Sequence, residues 1–128
     1  MSFDEYLKNR KEGDILFNRF FISGGVFMYM NDDTVRYCME RMNSMFENKC
    51  KLYISEPIAL QERLTLDNFY SDTIESNYSA IYRTEQDYKD MFMPLLQAGF
   101  KCIVSQEMFQ DDFKKQKETK QWIFILER

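Results

Sequence analysis

Phe17-Asn18-Arg19-Phe20-Phe21-Ile22-Ser23-Gly24-Gly25-Val26 and, one helical stretch later, Cys50-Lys51-Leu52-Tyr53-Ile54-Ser55-Glu56-Pro57 are the segments that decide the fold of this 128-residue chain. Phe17, Phe20, Phe21, Ile22 and Val26 form a compact aromatic and β-branched run, which reads as a buried strand. The run is interrupted by Gly24-Gly25, where the backbone must turn tightly or be approached closely. Asn31-Asp32-Asp33-Thr34 then offers several helix N-caps in a row. Val35, Cys38, Met39, Met42, Met45 and Phe46 follow at helical spacing, and Glu47-Asn48-Lys49 closes that helix. Cys50, Leu52, Tyr53 and Ile54 read as a second strand, stopping at Ser55-Glu56-Pro57. Strand, helix and strand joined by short links make a βαβ unit, whose two strands run parallel.

Residues 58–83 show no clean period and read as a long excursion with a helical turn. Inside a compact domain such a length is usually functional or a sign that an element has been misassigned. It begins at the end of the second strand and carries Arg63, Tyr70, Tyr78, Tyr82 and Arg83, so it is placed to fold over the same edge of the sheet. Thr84 with Asp87 reads as a capping box. Tyr88, Met91, Phe92 and Leu95 continue the helix, Pro94 kinks it, and Gly99 supplies a left-handed stop. Phe100, Cys102, Ile103 and Val104 form a third strand. After the charged connection from Asp111 to Lys120, Trp122 to Leu126 form a fourth, antiparallel to the third because no helix separates them. The expected fold class is a three-layer α/β arrangement with a mixed, mostly parallel sheet, as a single domain over residues 1–128.

Composition narrows the function. Hydrophobic residues make up 45% of the chain and charged residues 30%, with 4 Gly and 2 Pro, a balance that excludes disorder and low complexity. The net charge of −4 is diffuse and supplies no basic face for nucleic acid. The absence of His removes Ser-His-Asp, Cys-His and His-metal chemistry. The three cysteines, Cys38, Cys50 and Cys102, are widely spaced and make neither a disulfide framework nor a metal site. They point to a reduced, cytoplasmic setting. Met1-Ser2-Phe3-Asp4-Glu5 lacks the basic and apolar regions of a signal peptide, and Leu16–Met30 is too short and polar to span a bilayer.

In an open α/β sheet, ligands bind beyond the carboxyl ends of the parallel strands. Two such ends are visible here, Ser23-Gly24-Gly25 and Ser55-Glu56-Pro57. Each also fits a plainer reading, the glycines as a tight turn and Glu56 as a solvated strand end. This order of elements resembles the carboxyl-terminal half of a class I S-adenosylmethionine-dependent methyltransferase. The resemblance is carried by Phe20-Phe21-Ile22-Ser23-Gly24-Gly25-Val26-Phe27-Met28-Tyr29-Met30-Asn31-Asp32, Leu52-Tyr53-Ile54-Ser55-Glu56-Pro57, Tyr82-Arg83-Thr84, Leu96-Gln97-Ala98-Gly99-Phe100 and Trp122-Ile123-Phe124-Ile125-Leu126. In layout it is most similar to the protein amino-terminal methyltransferase group, over about residues 17 to 127.

The resemblance implies S-adenosylmethionine as cofactor, with Ser23, Gly24 and Met28 against its methionine part, and a small-molecule or peptide methyl acceptor. It places Gly25, Tyr78, Tyr82 and Arg83 on the substrate side, with Glu56 and Tyr29 as the catalytic pair. Glu56 would orient or deprotonate the nucleophile. Methyl transfer is an in-line displacement that needs positioning and removal of one proton, so it tolerates the absence of histidine.

One large departure accompanies the likeness. Gly13, Gly24, Gly25 and Gly99 form no GxGxxG cluster, and only 16 residues precede the first strand. What remains corresponds to the fourth to seventh strands of the methyltransferase sheet. The expectation is an incomplete or split domain whose Phe17–Ser23 strand, left at an edge, pairs with a partner chain or with itself. The alternatives are a non-catalytic pseudo-methyltransferase or interaction module, or a small α/β protein of another class sharing only the βαβ architecture.

Overall fold

The computed structural model describes residues 2–71, 74–108 and 118–128, with side chains described outside 66–79. The elements run α1 (Phe3–Asn9), β1 (Phe17–Ile22), α2 (Asp32–Arg41), β2 (Phe46–Ala59), β3 (Leu64–Ser71), β4 (Ile74–Tyr82), α3 (Glu85–Met91), α4 (Met93–Gln97), β5 (Lys101–Glu107) and β6 (Thr119–Glu127). A single 3-10 turn at Phe27–Tyr29 lies between β1 and α2.

The main sheet has the order β1-β2-β6-β5. The βαβ expectation holds: β1 and β2 are parallel, with Phe20 opposite Leu52 and Ile22 opposite Ile54. β5 and β6 are antiparallel, again as expected. β6 lies between β5 and β2, so the described sheet is mixed, with β1 and β5 at its two edges. Side chains alternate across the strands. Leu52, Ile54, Phe124 and Leu126 are fully buried on one face, in a cluster with Leu7 of α1, Val35, Cys38 and Met39 of α2, and Tyr88, Phe92 and Leu95 of the last helices.

On the opposite face one row runs Phe21, Tyr53, Ile125 and Val104 across all four strands. Phe21 is 65% exposed there, its ring stacked on Tyr53 at 4.5 Å. Of the helical layers in the expected three-layer arrangement, the described residues supply the one over the buried cluster.

The capping box at Thr84 and Asp87 forms, and Pro94 divides the helix into α3 and α4 at Phe92. Gly99 follows in the left-handed region, φ 101°.

The amino terminus forms α1, with the Ser2 side chain accepting from the Glu5 N–H and acids in the first turn. Three expectations are corrected. Glu47-Asn48-Lys49 does not close the helix: α2 ends at Arg41, a 3-10 turn spans Met42–Met45, and β2 already begins at Phe46. β2 does not stop at Ser55-Glu56-Pro57 but runs on to Ala59, opposite Thr119 of β6. Pro57 is tolerated because its nitrogen faces away from β6, on the side where the Ala59 N–H instead meets the Arg83 carbonyl at 2.9 Å. The excursion after β2 is mostly a hairpin, β3 against β4, in a separate two-stranded sheet. The expected helical turn there does not form among the described residues.

Candidate functional site

Beyond Ile22 the chain leaves the sheet and makes a compact turn over the carboxyl end of β1. Gly24 and Gly25 both have positive φ, 84° and 78°, which an L side chain adopts only with strain. Gly25 is also packed: a Cβ there would lie 2.6 Å from the Met28 Sδ. Among the described residues nothing stands within 4 Å of a Cβ placed at Gly24. The turn therefore has a closed underside at Gly25 and Met28 and an open top at Ser23, Gly24 and Tyr29.

The underside is held by side chains from distant parts of the chain. The Phe27 N–H donates to Glu56 Oε1 at 2.7 Å, and the Phe27 carbonyl accepts from Arg83 Nη1 at 2.8 Å. Arg83 Nη2 donates to the Met30 carbonyl at 2.7 Å and to Asp32 Oδ1 at 2.8 Å, and its Nε reaches the same oxygen at 3.0 Å. Asp32 also takes Arg63 Nη1 at 2.6 Å, and Arg63 continues to Asp87 at 3.3 Å. The residues flanking the β3–β4 hairpin, Arg63 and Arg83, are thus joined to one carboxylate at the start of α2.

Electrostatics follow from this packing. Burial pushes the Asp32 carboxyl up, but hydrogen bonds from Arg63 and Arg83 outweigh it and hold Asp32 below the ordinary carboxylate range. Glu56 goes the other way. Burial raises it to about 7, against the opposing pull of the Phe27, Met28 and Val26 backbone and the Arg83 charge. Its Oε2 has no hydrogen-bond partner among the described residues, and the buried Tyr88 hydroxyl lies within reach of the Glu56 and Arg83 charges.

A groove of about 870 Å³ opens beside the turn, lined by Gly25, Val26, Tyr29, Met30, Asn31 and Thr34 on one side. Phe20 of β1 and Ser2, Phe3, Asp4 and Tyr6 of α1 line the other. Phe3 and Phe20 stack in the groove wall with centroids 6.2 Å apart, and the buried Phe27 ring meets Phe3 edge-on from behind at 6.1 Å. The α1 contribution was missed from sequence, although Ser2 followed by Asp4 and Glu5, with Phe3, Tyr6 and Leu7 on one face, is a helix-start signal.

The expected site residues divide by exposure. Ser23 and Gly24 are exposed at the top of the turn, and Tyr29, 54% exposed, borders the groove together with Gly25. Tyr82 is half-buried at the end of β4. Tyr78 lies among the residues whose side chains are not described. Three of the expected residues are buried. Met28 packs beneath Gly25. Glu56 and Arg83 are both 0% exposed, and both hydrogen-bond to the Phe27 backbone. Among the described residues no group of three His, Cys, Asp or Glu side chains could hold a metal ion, and no helix is long and apolar enough to cross a membrane.

No family model and no curated protein matches the sequence. Solved structures do match the fold. The 1,6-didemethyltoxoflavin-N1-methyltransferase of Burkholderia thailandensis superimposes with a TM-score of 0.66 at 11% identity, over 95% of this chain and 48% of its own. A SAM-dependent methyltransferase from Leishmania major gives 0.60 at 12%, over 94% and 42%. A glycopeptide N-methyltransferase complexed with S-adenosylmethionine gives 0.54 at 13%, over 88% and 54%. The architecture of this chain is therefore the one seen in the class I fold of SAM-dependent methyltransferases. At 42–54% coverage, the chain spans about half the length of these three neighbours.

Proposed function

We propose that this chain supplies the carboxyl-terminal half of an S-adenosylmethionine-dependent methyltransferase domain and acts in methyl transfer to a small-molecule or peptide acceptor. The observation that carries the reading is the open-topped glycine turn beside an aromatic groove at the carboxyl end of β1. This is where an α/β sheet binds its ligands, and it sits in a fold whose solved neighbours are methyltransferases.

The cofactor fits the residues present in part. When bound it supplies a methyl group on a sulfonium, a cation suited to aromatic faces. Ser23 and Gly24 would border its methionine portion, and Phe3, Phe20 and Tyr29 offer the aromatic surroundings. Among the described residues no strand leads into a GxGxxG-type turn that could hold the rest. That element would come from a partner chain or from another part of a longer polypeptide, docking on the free side of β1.

In this reading Gly25, Tyr29 and Tyr82 face the acceptor, with Tyr78 on the same hairpin. Glu56 and Arg83 serve from beneath. In the completed enzyme Tyr29→Phe is expected to lower turnover at least tenfold, about 1.4 kcal/mol of barrier. The layout nearest to the amino-terminal methyltransferase group favours a peptide end as acceptor. A scaffold role without catalysis is the second reading, favoured by the exposed Phe21–Tyr53 face and by the edge of β1, which has no partner strand among the described residues.

Calorimetry separates the parts of the proposal. The chain alone is expected to give no saturable heat with micromolar S-adenosylmethionine, and binding is expected to appear when a polypeptide carrying the Gly-rich strand is added. Micromolar binding by the chain alone would contradict the split reading.

A further inference from the structure

The turn between β1 and α2 exposes Ser23, Gly24 and Tyr29, and side chains from distant parts of the chain grip its underside. Within residues 23–30 a 3-10 turn spans Phe27–Tyr29, closed by the Met30 N–H on the Phe27 carbonyl at 3.0 Å. Two consecutive glycines with positive φ precede that bond, so backbone preference does little to hold the segment. The carbonyls of Phe27 and Met30 bracket the 3-10 turn, and both accept from the guanidinium of Arg83.

We propose that Arg83 is the positioning residue of this site, its guanidinium held in plane by Asp32 so that it fixes the Phe27 and Met30 carbonyls and, through them, the exposed backbone at Ser23–Gly24 and the place of Tyr29. The inference rests on the reading of that turn as the cofactor and acceptor turn, and its geometry stands apart from that reading.

The donors of Arg83 match the task. Nε and Nη2 form a fork on one oxygen of Asp32, and Nη1 and Nη2 each reach a carbonyl, all between 2.7 and 3.0 Å. Its own carbonyl accepts from Ala59, anchoring the residue to the end of β2. The side chain is completely buried beneath the turn, its guanidinium 6.0 Å from the centre of the Tyr88 ring. From the other side Glu56 takes the Phe27 N–H, so both backbone groups of Phe27 are held by side chains 29 and 56 residues away. Lysine carries the same charge on a single nitrogen and has no fork, so it cannot hold two carbonyls and a carboxylate in one plane.

Arg83→Lys in the full chain, followed by amide hydrogen exchange, tests this. The expected result is that the Phe27 and Met30 amides exchange about tenfold faster or more, a factor worth about 1.4 kcal/mol of local opening. Leu52, Ile54 and Phe124 in the strands keep their rates. Unchanged exchange at Phe27 and Met30 would overturn the proposal. Equal acceleration of the strand amides would overturn it too, since Arg83 would then support the whole fold and not the turn. If Arg83→Lys fails to fold, Asp32→Asn is measured against the same two criteria, with a smaller local acceleration expected.

S-adenosylhomocysteine is the functional probe, titrated at millimolar concentration. Its shifts at Gly24, Gly25 and Tyr29 are expected to weaken in Arg83→Lys while the strand resonances stay in place. Shifts of wild-type strength in the variant count against the positioning role. If the wild-type chain shows no shifts at all, the cofactor reading fails, and the exchange rates still decide whether Arg83 holds the turn.

Discussion

At the residue scale, the most informative side chain is Glu56. A carboxyl at the end of a strand reads from sequence as solvated or catalytic, because such groups are seldom fully buried without a partner. Its partner, the Phe27 N–H, stands 29 positions away, and Arg83 donates to the carbonyl of the same residue from 56 positions away. No local pattern announces separations of that kind, so the participants were legible and their roles were not. The structure also assigns Glu56 a definite pH signature. Its folded value of about 7 lies above the ordinary 4.5, so the folded state holds the proton more tightly than the unfolded state between those values. The contribution is full below about pH 4.5 and is lost as pH rises through about 7, amounting to about 3 kcal/mol at most. Asp4, Asp32 and Asp87 are lowered, so their contributions change in more acidic solution, outside this window. Urea unfolding between about pH 5 and pH 8 is expected to show falling stability in the wild type, and Glu56→Gln is expected to flatten the dependence. A wild-type profile that rises across that range would contradict the buried, raised carboxyl.

At the element scale, periodicity was informative where an element buries one face continuously. The α2 stripe and the β1 and β2 runs were readable for that reason, and so were the capping box and the break at Pro94. Two elements were not. In the β3–β4 hairpin the register shifts between Leu66 and Phe69 and again at Tyr70/Ser71, which breaks the period of two. α1 spans seven residues, too short for a stripe to stand out. The glycine turn was recognised as a turn, and the structure separates its two glycines. Both have positive φ, but only Gly25 has a neighbour within contact distance of a Cβ. Gly24→Ala is expected to cost about 1 kcal/mol from backbone strain alone. Gly25→Ala is expected to cost more, because the Met28 side chain must also shift. Denaturant midpoints of the two variants, compared with wild type at constant slope, check that order. Equal losses would mean that Met28 yields freely.

At the scale of the whole molecule, two surfaces are unfinished within the described residues. β1 is an edge with Arg19 as its only charge, and the adjoining face presents Phe21 beside Tyr53, with Ile103 exposed on the opposite edge strand. Exposed edges and apolar rows of this kind recruit partners. The chain alone is expected to self-associate in concentrated solution, by light scattering, and Phe21→Lys is expected to reduce that association. A monomer of 15.6 kDa with slow amide exchange along Phe17–Ile22 would show the strand already paired and would contradict the account.

The coverage of about half of each compared neighbour fits the same picture, a sheet that carries one part of a ligand site and depends on a second part for affinity. The central claim is that the glycine turn and its groove form that part. Nuclear magnetic resonance shift mapping of the labelled chain against S-adenosylhomocysteine tests it most directly. The account predicts weak, millimolar binding, about −4 kcal/mol, with shifts concentrated at Gly24, Gly25, Tyr29, Asn31 and the Phe3–Tyr6 side of the groove. An absence of shifts at saturating millimolar ligand, or shifts confined to β5 and β6, would contradict it.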